Sequence, residues 1–512
     1  MSSGYVLDTS YTDRFFRELS PVWLNYVAAL NGYPPRPVDR PFSYLELGCG
    51  FGHSVIVNAG AFPHAAFHAC DVNPGFIDEA RRRAADLGIG NVEFHQRSFE
   101  ELVAADLAPF DFIVLHGVYS WVGPAARRAV RDVVDKLLEP GGLVYVSYNC
   151  WPGWALEAPL RRLLVELTAT GRGSTGERAE QALAPLAALS NSKLRYFTAH
   201  PAAVAAVESY VNGPSRYLVH EFLNQAWAPF YSIDVAAEMA AIGLTLAGSA
   251  TLADNHAALV VQDAAAEAVS RLLAPRQRQL AMDFAVNRRF RRDVFIRAPE
   301  AQEDTGAGAR AAQIVIGVTG NPERMGAQVT VPRGTIRFGD AFVRDLRALM
   351  ARGSTTLGDA VVALSAARHD PIEITRNLLF MVAGGTLTPF AAAAPPCTGA
   401  TRRRPANRTV ASILRFAVEH RSTRAIPSEI LGNGVVIDPL EALAIGEWLR
   451  GAEGVDALAA RVAAEIARRA LYVSDEGAPL AAPDDVPATA RRVAERVIDD
   501  RLPGLIQLGL VE

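Results

Sequence analysis

The run ELGCGFG places Glu46, Gly48, Gly50 and Gly52 where backbone and carboxylate could hold a cofactor. It closes the apolar stretch FSYLELG, so the glycines fall at the end of an expected strand. Residues without a Cβ let the chain turn sharply there and approach a ligand closely. Cys49 lies within the same turn. Asp71 ends the next apolar run, AAFHACDV, where a carboxylate can accept both hydroxyls of a ribose. Ser98 and Phe99 follow a third run, NVEFHQRS, and add a hydroxyl and a ring at the same end of the expected sheet. The glycines alternate as GxGxG, unlike the GxGxxG of dinucleotide sites.

Two further segments, HGVYSWV and SYNCWPGW, leave the fourth and fifth apolar runs and are rich in aromatic residues. They bring His116, Tyr119, Trp121, Tyr148, Trp151 and Trp154 to the same end of the expected sheet. Ring faces attract an ammonium group, so such a pocket suits an aliphatic amine. A lysine amine, with a free pKa of about 10.4, must lose a proton before it can attack. Desolvation favours that loss and cation–π attraction opposes it. Tyr119 follows its strand end most closely and is the first candidate to touch the acceptor, with Trp121 and Tyr148 beside it. His116 suits the cofactor shell, with proton transfer or a buried structural role as its other readings. Trp151 and Trp154, flanking Pro152 and Gly153, suit bracing a turn equally well. His220 and Glu221 are adjacent on an expected helix, point in different directions, and are read as structural. The clusters Arg288, Arg289, Arg291, Arg292 and Arg402, Arg403, Arg404 are read as solvated or salt-bridged faces.

The elements that must position these residues alternate. FSYLELG, AAFHACDV, NVEFHQRS, FDFIVLHG and GGLVYVSYN read as strands, and PGFIDEARRRAADLG and PAARRAVRDVVDKLLEPGG as helices between them. That alternation predicts a parallel sheet covered on both faces, with its ligand beyond the carboxyl ends of the strands. Residues 1–41 read as a helical cap, from Phe15, Phe16, Leu19, Trp23, Tyr26 and Val27 at helical spacing. The catalytic domain is expected over 42–265, with a helical insertion over about 155–217. GLTLAGSATL and HAALVVQDA read as its last strands, the final one reversed, and DFAVNRRFRRDVFIR as the end of a helical connector. A middle domain over 266–400 follows, in which QIVIGV, QVTVP and GTIRF suit a small sheet. TTLGDAVVALSAARHDP and PIEITRNLLFMVAGGTLTPF suit a winged-helix-like module. Residues 401–512 read as a mainly helical domain. The fold class is therefore α/β with a helical insertion, followed by an α+β C-terminal half.

Composition narrows the function. At 512 residues the chain needs two or three cores. Its net charge of −4 gives no electrostatic basis for nucleic-acid binding. No metal-ligand spacing occurs among Cys49, Cys70, Cys150 and Cys397, which suit a reducing cytosol. No signal peptide and no run of about 18 apolar residues is present, so a cytoplasmic location away from membranes is expected.

Five features in order, Glu46 with the alternating glycines, Asp71, Ser98–Phe99, FDFIVLHG and the LEPGG turn before VYVSYN, resemble the class I S-adenosyl-L-methionine-dependent methyltransferases, which hold the adenine at the Ser98–Phe99 position. Many relatives carry an acid at the position of Ser98. FSYLELGCGFG, HGVYSWV, EPGGLVYVSYNCWPGW, YLVHEFLNQAWAPFYSIDVAAEM and DFAVNRRFRRDVFIR further resemble a bacterial group carrying a methyltransferase regulatory domain. The rickettsial outer-membrane-protein lysine methyltransferases belong to it, and the resemblance spans Tyr5 to Arg297. It implies S-adenosyl-L-methionine as cofactor, held by Glu46, Gly48, Gly50, Gly52 and Asp71. It also implies an insertion that makes homodimer contacts, and later domains that help hold a protein substrate. Methylation of protein lysine side chains is the preferred expectation. A small-molecule N- or O-methyltransferase is its alternative, and a non-catalytic binding module on the same fold a third reading.

Overall fold

The computed structural model describes residues 14–213, 222–224, 226–297, 307–396, 403–474 and 477–512. His220, Glu221, Cys397 and Arg402 lie outside them. A seven-stranded sheet forms the catalytic core, from β1 (Ser43–Leu47), β2 (Ala66–Asp71), β3 (Val92–Gln96), β4 (Phe110–Leu115), β5 (Leu138–Asn149), β6 (Leu244–Ser249) and β7 (Phe290–Arg297). Its order is β3-β2-β1-β4-β5-β7-β6. The first five strands pair in parallel, and β7 runs antiparallel to both β5 and β6.

Each strand sends alternate side chains to opposite faces. Tyr44, Phe112, Val114 and Tyr145 pack on one face beneath helices α1 (Pro21–Leu30), α2 (His53–Ala61) and α3 (Pro74–Leu87). Leu45, Leu47, Ile113, Leu115, Val144 and Val146 pack on the other, beneath α4 (Phe99–Ala104) and α5 (Pro124–Leu137). Val130, Val133, Val134 and Leu137 form the buried stripe of α5 at helical spacing. Before α1, Ser20 ends a short 3₁₀ turn (Arg17–Leu19), and its Oγ accepts from the Val22 amide at 3.2 Å. The cap is therefore a turn and one helix, with Phe15 and Phe16 upstream of both.

The last strand departs from the expected one. Residues of HAALVVQDA form helical turns, Ala257–Val260 and the start of Asp263–Ser270. Asn255 diverts the chain after β6: its Oδ1 accepts from the Ser249 amide at 2.9 Å, and its Nδ2 donates to the Ser249 carbonyl at 2.8 Å. The strand that fills the gap between β5 and β6 is Phe290–Arg297, the segment expected to end a helical connector. The sheet therefore continues past Ala265 to Arg297.

Helices Glu157–Ala169, Thr175–Asn191, Arg195–Ala199 and Pro201–Asn212 interrupt the sheet between β5 and β6. Beyond β7, Gln328–Val331 and Gly334–Arg337 pair as a hairpin. Val315–Gly317, expected beside them, instead pairs with Thr355–Thr356 and Thr388–Pro389. Helices Asp340–Met350, Leu357–Ala366 and Pro371–Ala383 complete this unit. The remainder packs helices around the hairpin Arg424–Ser428 and Asn433–Ile437. Among the described residues no helix is long and apolar enough to cross a membrane.

Candidate active site

The glycine turn is folded as the cofactor reading requires. Gly48, Gly50 and Gly52 all have positive φ, at 72°, 53° and 74°. A Cβ on Gly48 would lie 2.5 Å from Val118 Cγ2, and one on Gly52 would lie 2.9 Å from the Ala80 Cβ. A Cβ on Gly50 would meet nothing within 4 Å, because this glycine faces the open cradle. The Gly48 and Cys49 amides both donate to the Cys70 carbonyl, which ties the turn to β2. Burial pushes the Cys49 thiol well up, so this residue serves the turn through its backbone.

Two carboxylates face the turn. Asp71 Oδ2 accepts from the Gly50 amide at 3.0 Å, and Oδ1 from the Asn73 amide at 2.9 Å. Burial raises its pKa, and these amides pull it back down. Glu46 is buried, and its Oε2 has no hydrogen-bond partner among the described residues. Burial, then the nearby Asp71, pushes its pKa up to about 8. A buried acceptor without a donor is costly, and a cationic ligand group would relieve it. Together with the space at Gly50, this makes Glu46 and Asp71 fit a cofactor carrying an amino group and a ribose.

Ser98 and Phe99 lie just beyond Gln96, which is in register with Asp71. Ser98 Oγ accepts from the Glu101 amide at 3.2 Å as the cap of α4, and Glu101 accepts from the Ser98 amide at 2.7 Å. The Ser98 hydroxyl also hydrogen-bonds the Glu101 carboxylate, so the cap engages both its oxygen and its hydrogen. Phe99 is half-buried at the same edge.

The expected acceptor side separates into two groups. His116 remains at the end of β4, with Nδ1 2.8 Å from the Tyr145 hydroxyl. The Phe16 ring stacks on it at 3.8 Å between centroids, and Phe290 stands 5.9 Å away. Burial, with the nearby Arg292 adding to it, pushes its pKa down to about 3. A neutral imidazole here does not repel a cationic cofactor.

Tyr119 and Tyr148 pack instead in the core on the opposite face of the sheet from Tyr145. Gly117, with φ at 65°, turns the chain after His116. The Tyr119 ring is fully buried, its hydroxyl donates to Glu238, and Arg131 donates to both at 3.0 Å. The Tyr148 hydroxyl donates to Asp293 Oδ2 at 2.5 Å. Asp293 pairs with Arg291, which also holds the buried Asp283. Both hydroxyls are used up in structural networks. Trp121 is buried and accepts at its carbonyl from Asn224 at 2.9 Å. Trp154 packs edge-on to Trp227 at 4.9 Å within the helical insertion, and Trp151 lies against that same core.

Phe290, Glu18 and Arg292 join Phe16 on the His116 side of the sheet. The β5–β7 register sets Phe290 opposite Asn149 and Arg292 opposite Ser147, on the face that carries Tyr145. The Arg292 guanidinium lies 5.5 Å from the Phe290 ring centre and 3.9 Å from Glu18. Its three neighbours are paired as well: Arg288 with Asp254, Arg289 with Glu157, and Arg291 with Asp283 and Asp293. The N-terminal segment that brings Phe16 and Glu18 here is held from far along the chain. Ser20 Oγ donates to the Gly432 carbonyl at 2.6 Å, and Asn433 Nδ2 to the Arg17 carbonyl at 3.0 Å.

Residues 45–144 match the family model described as a methyltransferase domain, and residues 214–297 match a predicted methyltransferase regulatory domain. The second match contains β6 and β7, so this segment supplies two strands of the catalytic sheet itself. The uncharacterized protein sll1526 of Synechocystis is 31% identical over 518 residues, covering 99% of each chain. The uncharacterized protein RP789 of Rickettsia prowazekii is 29% identical over 278 residues, 53% of this chain and 49% of that protein. The solved structure of PKMT2 from Rickettsia typhi in complex with AdoHcy shares the fold, with a TM-score of 0.71 at 18% identity, over 97% of this chain and 99% of that one. The chain belongs to the bacterial class I S-adenosylmethionine-dependent methyltransferases that carry a methyltransferase regulatory domain.

Proposed function

We propose that this methyltransferase acts in the cytoplasm on lysine side chains of a protein acceptor. Bound S-adenosylmethionine supplies an electrophilic methyl group on a sulfonium. Asp71 takes the ribose hydroxyls and Glu46 the amino group of the cofactor's methionine part. The glycine turn admits the cofactor backbone to backbone, and Ser98 and Phe99 border its adenine. Phe16, His116 and Phe290 wall the acceptor side, where positioning supplies most of the catalysis of an in-line displacement. The amine attacks as the free base: its lone pair forms the new C–N bond while the C–S bond breaks.

The observation that carries this reading is the setting of Arg292. A cation already rests there over an aromatic ring, beside the Glu18 carboxylate and the neutral His116. The fixed positive charge of Arg292 disfavours an ammonium beside it and so favours the acceptor lysine as the free base that attacks. The grip of the C-terminal hairpin on the segment bearing Phe16 and Glu18 supports a part for that half in receiving a protein. The likeness to Rickettsia typhi PKMT2 supports the same acceptor class.

The test is to incubate the full chain with methyl-labelled cofactor and a cell lysate, then separate macromolecules from small molecules. Label should enter protein, and not when Asp71→Ala replaces the wild type. Label confined to small molecules would put the small-molecule alternative in its place.

A further inference from the structure

We propose that His68, Glu93 and His95 form a divalent transition-metal site of the zinc class on the edge of the sheet, separate from the methyl-transfer site. The three residues are set by strand register. His68 on β2 lies directly opposite Glu93 on β3, and His95 is two residues further along β3. Residues two apart on a strand share a face, so all three side chains project from the same side. His68 Nδ1 is 2.9 Å from His95 Nε2, Glu93 Oε2 is 3.9 Å from His68 Nδ1, and Glu93 Oε1 is 3.6 Å from His95 Nδ1.

Two imidazoles and one carboxylate are a ligand set used for zinc, with water in the fourth position. Ligand atoms about 2.0–2.1 Å from a tetrahedral ion stand roughly 3.3 Å apart. The two facing nitrogens must open by a few tenths of an ångström, and one Glu93 oxygen must swing in to close a set whose ligand atoms lie within 4.8 Å of one another. Glu93 can move, because its side chain is 66% exposed. The imidazoles are braced, the rings lying parallel within 4° and Phe110 packing edge-on to His68 at 5.1 Å. Two nitrogens already near the required spacing and one mobile exposed oxygen leave a path for the ion and for water. Without metal, one imidazole donates its N–H to the other, which satisfies the buried His95.

The placement gives such an ion a consequence. His68 is three residues before Asp71, and His95 is in register with Cys70, whose carbonyl anchors the glycine turn. A bound ion would clamp β2 to the edge strand β3 just below the carboxylate that holds the ribose.

The test is calorimetric titration of zinc chloride into the metal-stripped full chain, in a buffer that does not chelate zinc, alongside His68→Asn, Glu93→Gln and the double variant. The wild type should take up one equivalent of zinc that the double variant lacks, Glu93→Gln should bind at least tenfold more weakly, and zinc should raise the wild-type melting temperature only. Cobalt(II) should give visible bands of a four-coordinate nitrogen–oxygen site. Glu93 is exposed, so Glu93→Gln keeps the comparison interpretable if the histidine variants melt early. Zinc uptake equal in wild type and Glu93→Gln, or no uptake by the wild type, overturns the proposal.

Discussion

The Gly50 amide donates to Asp71 Oδ2 over 3.0 Å, so the residue that opens the cofactor cradle is fixed by the carboxylate that faces it. With Asp71 holding the ribose as proposed, Asp71→Ala removes that acceptor and the brace on the turn together. S-adenosylmethionine binding should weaken by about 1.5–3 kcal/mol, the range of a charged hydrogen bond. Calorimetry should read that as roughly a 10- to 150-fold rise in Kd.

Gly48 and Gly50 share a backbone conformation but not surroundings, which separates two effects of adding a methyl group. Gly50→Ala should lower stability by roughly 1–2 kcal/mol, the cost of a left-handed residue with a Cβ, and abolish cofactor binding by filling the cradle. Gly48→Ala adds a clash with Val118 to the same cost and should melt well below Gly50→Ala. Melting curves with and without cofactor distinguish them.

The buried Glu46 gives a pH dependence with a defined sign. Its folded pKa of about 8 lies above the ordinary value of 4.5. Between those values the folded state keeps a proton that the unfolded chain has released. Stability from this group is therefore full below about pH 4.5 and falls as pH rises toward 8, by at most about 1.4 kcal/mol per unit. Glu46→Gln lacks this penalty. Without cofactor its advantage over wild type in chemical denaturation should grow from pH 5 to pH 8, while its affinity for S-adenosylmethionine falls.

Tyr119 and Phe16 should behave oppositely. Tyr119→Phe leaves Arg131 paired with Glu238, and should cost about 0.5–1.5 kcal/mol of stability while leaving turnover and cofactor affinity intact. Phe16→Ala removes the ring stacked on His116 and should lower kcat with little change in cofactor Kd. Asn433→Ala, acting through the Arg17 carbonyl, should move kcat in the same direction. Steady-state kinetics on these variants checks both halves.

What could be read from sequence followed from local chemistry. The glycine turn, Asp71 and the five parallel strands are announced by residue types at strand ends, and the structure has them there. Phe290–Arg297 carries charges, the buried Asp293 paired with the half-buried Arg291, and they interrupt the apolar signal of an interior strand. HAALVV was misread because a short apolar run fits helix and strand alike. Tyr119 was misplaced because the turn at Gly117 decides its face, and its partner Glu238 lies 119 residues away. Phe16 and Glu18 are held at the site by Ser54 on the Phe16 amide and by the ties of Ser20 to Gly432 and of Arg17 to Asn433, which no local pattern reports.

Identifying the labelled bond tests the central claim most directly. Proteins labelled by the wild-type chain with methyl-labelled S-adenosylmethionine should be treated with mild alkali, then hydrolysed to amino acids. Label that survives alkali and runs with methylated lysine is the predicted result. Label released as methanol would mean carboxylate O-methylation, and would contradict the assignment of an amine acceptor.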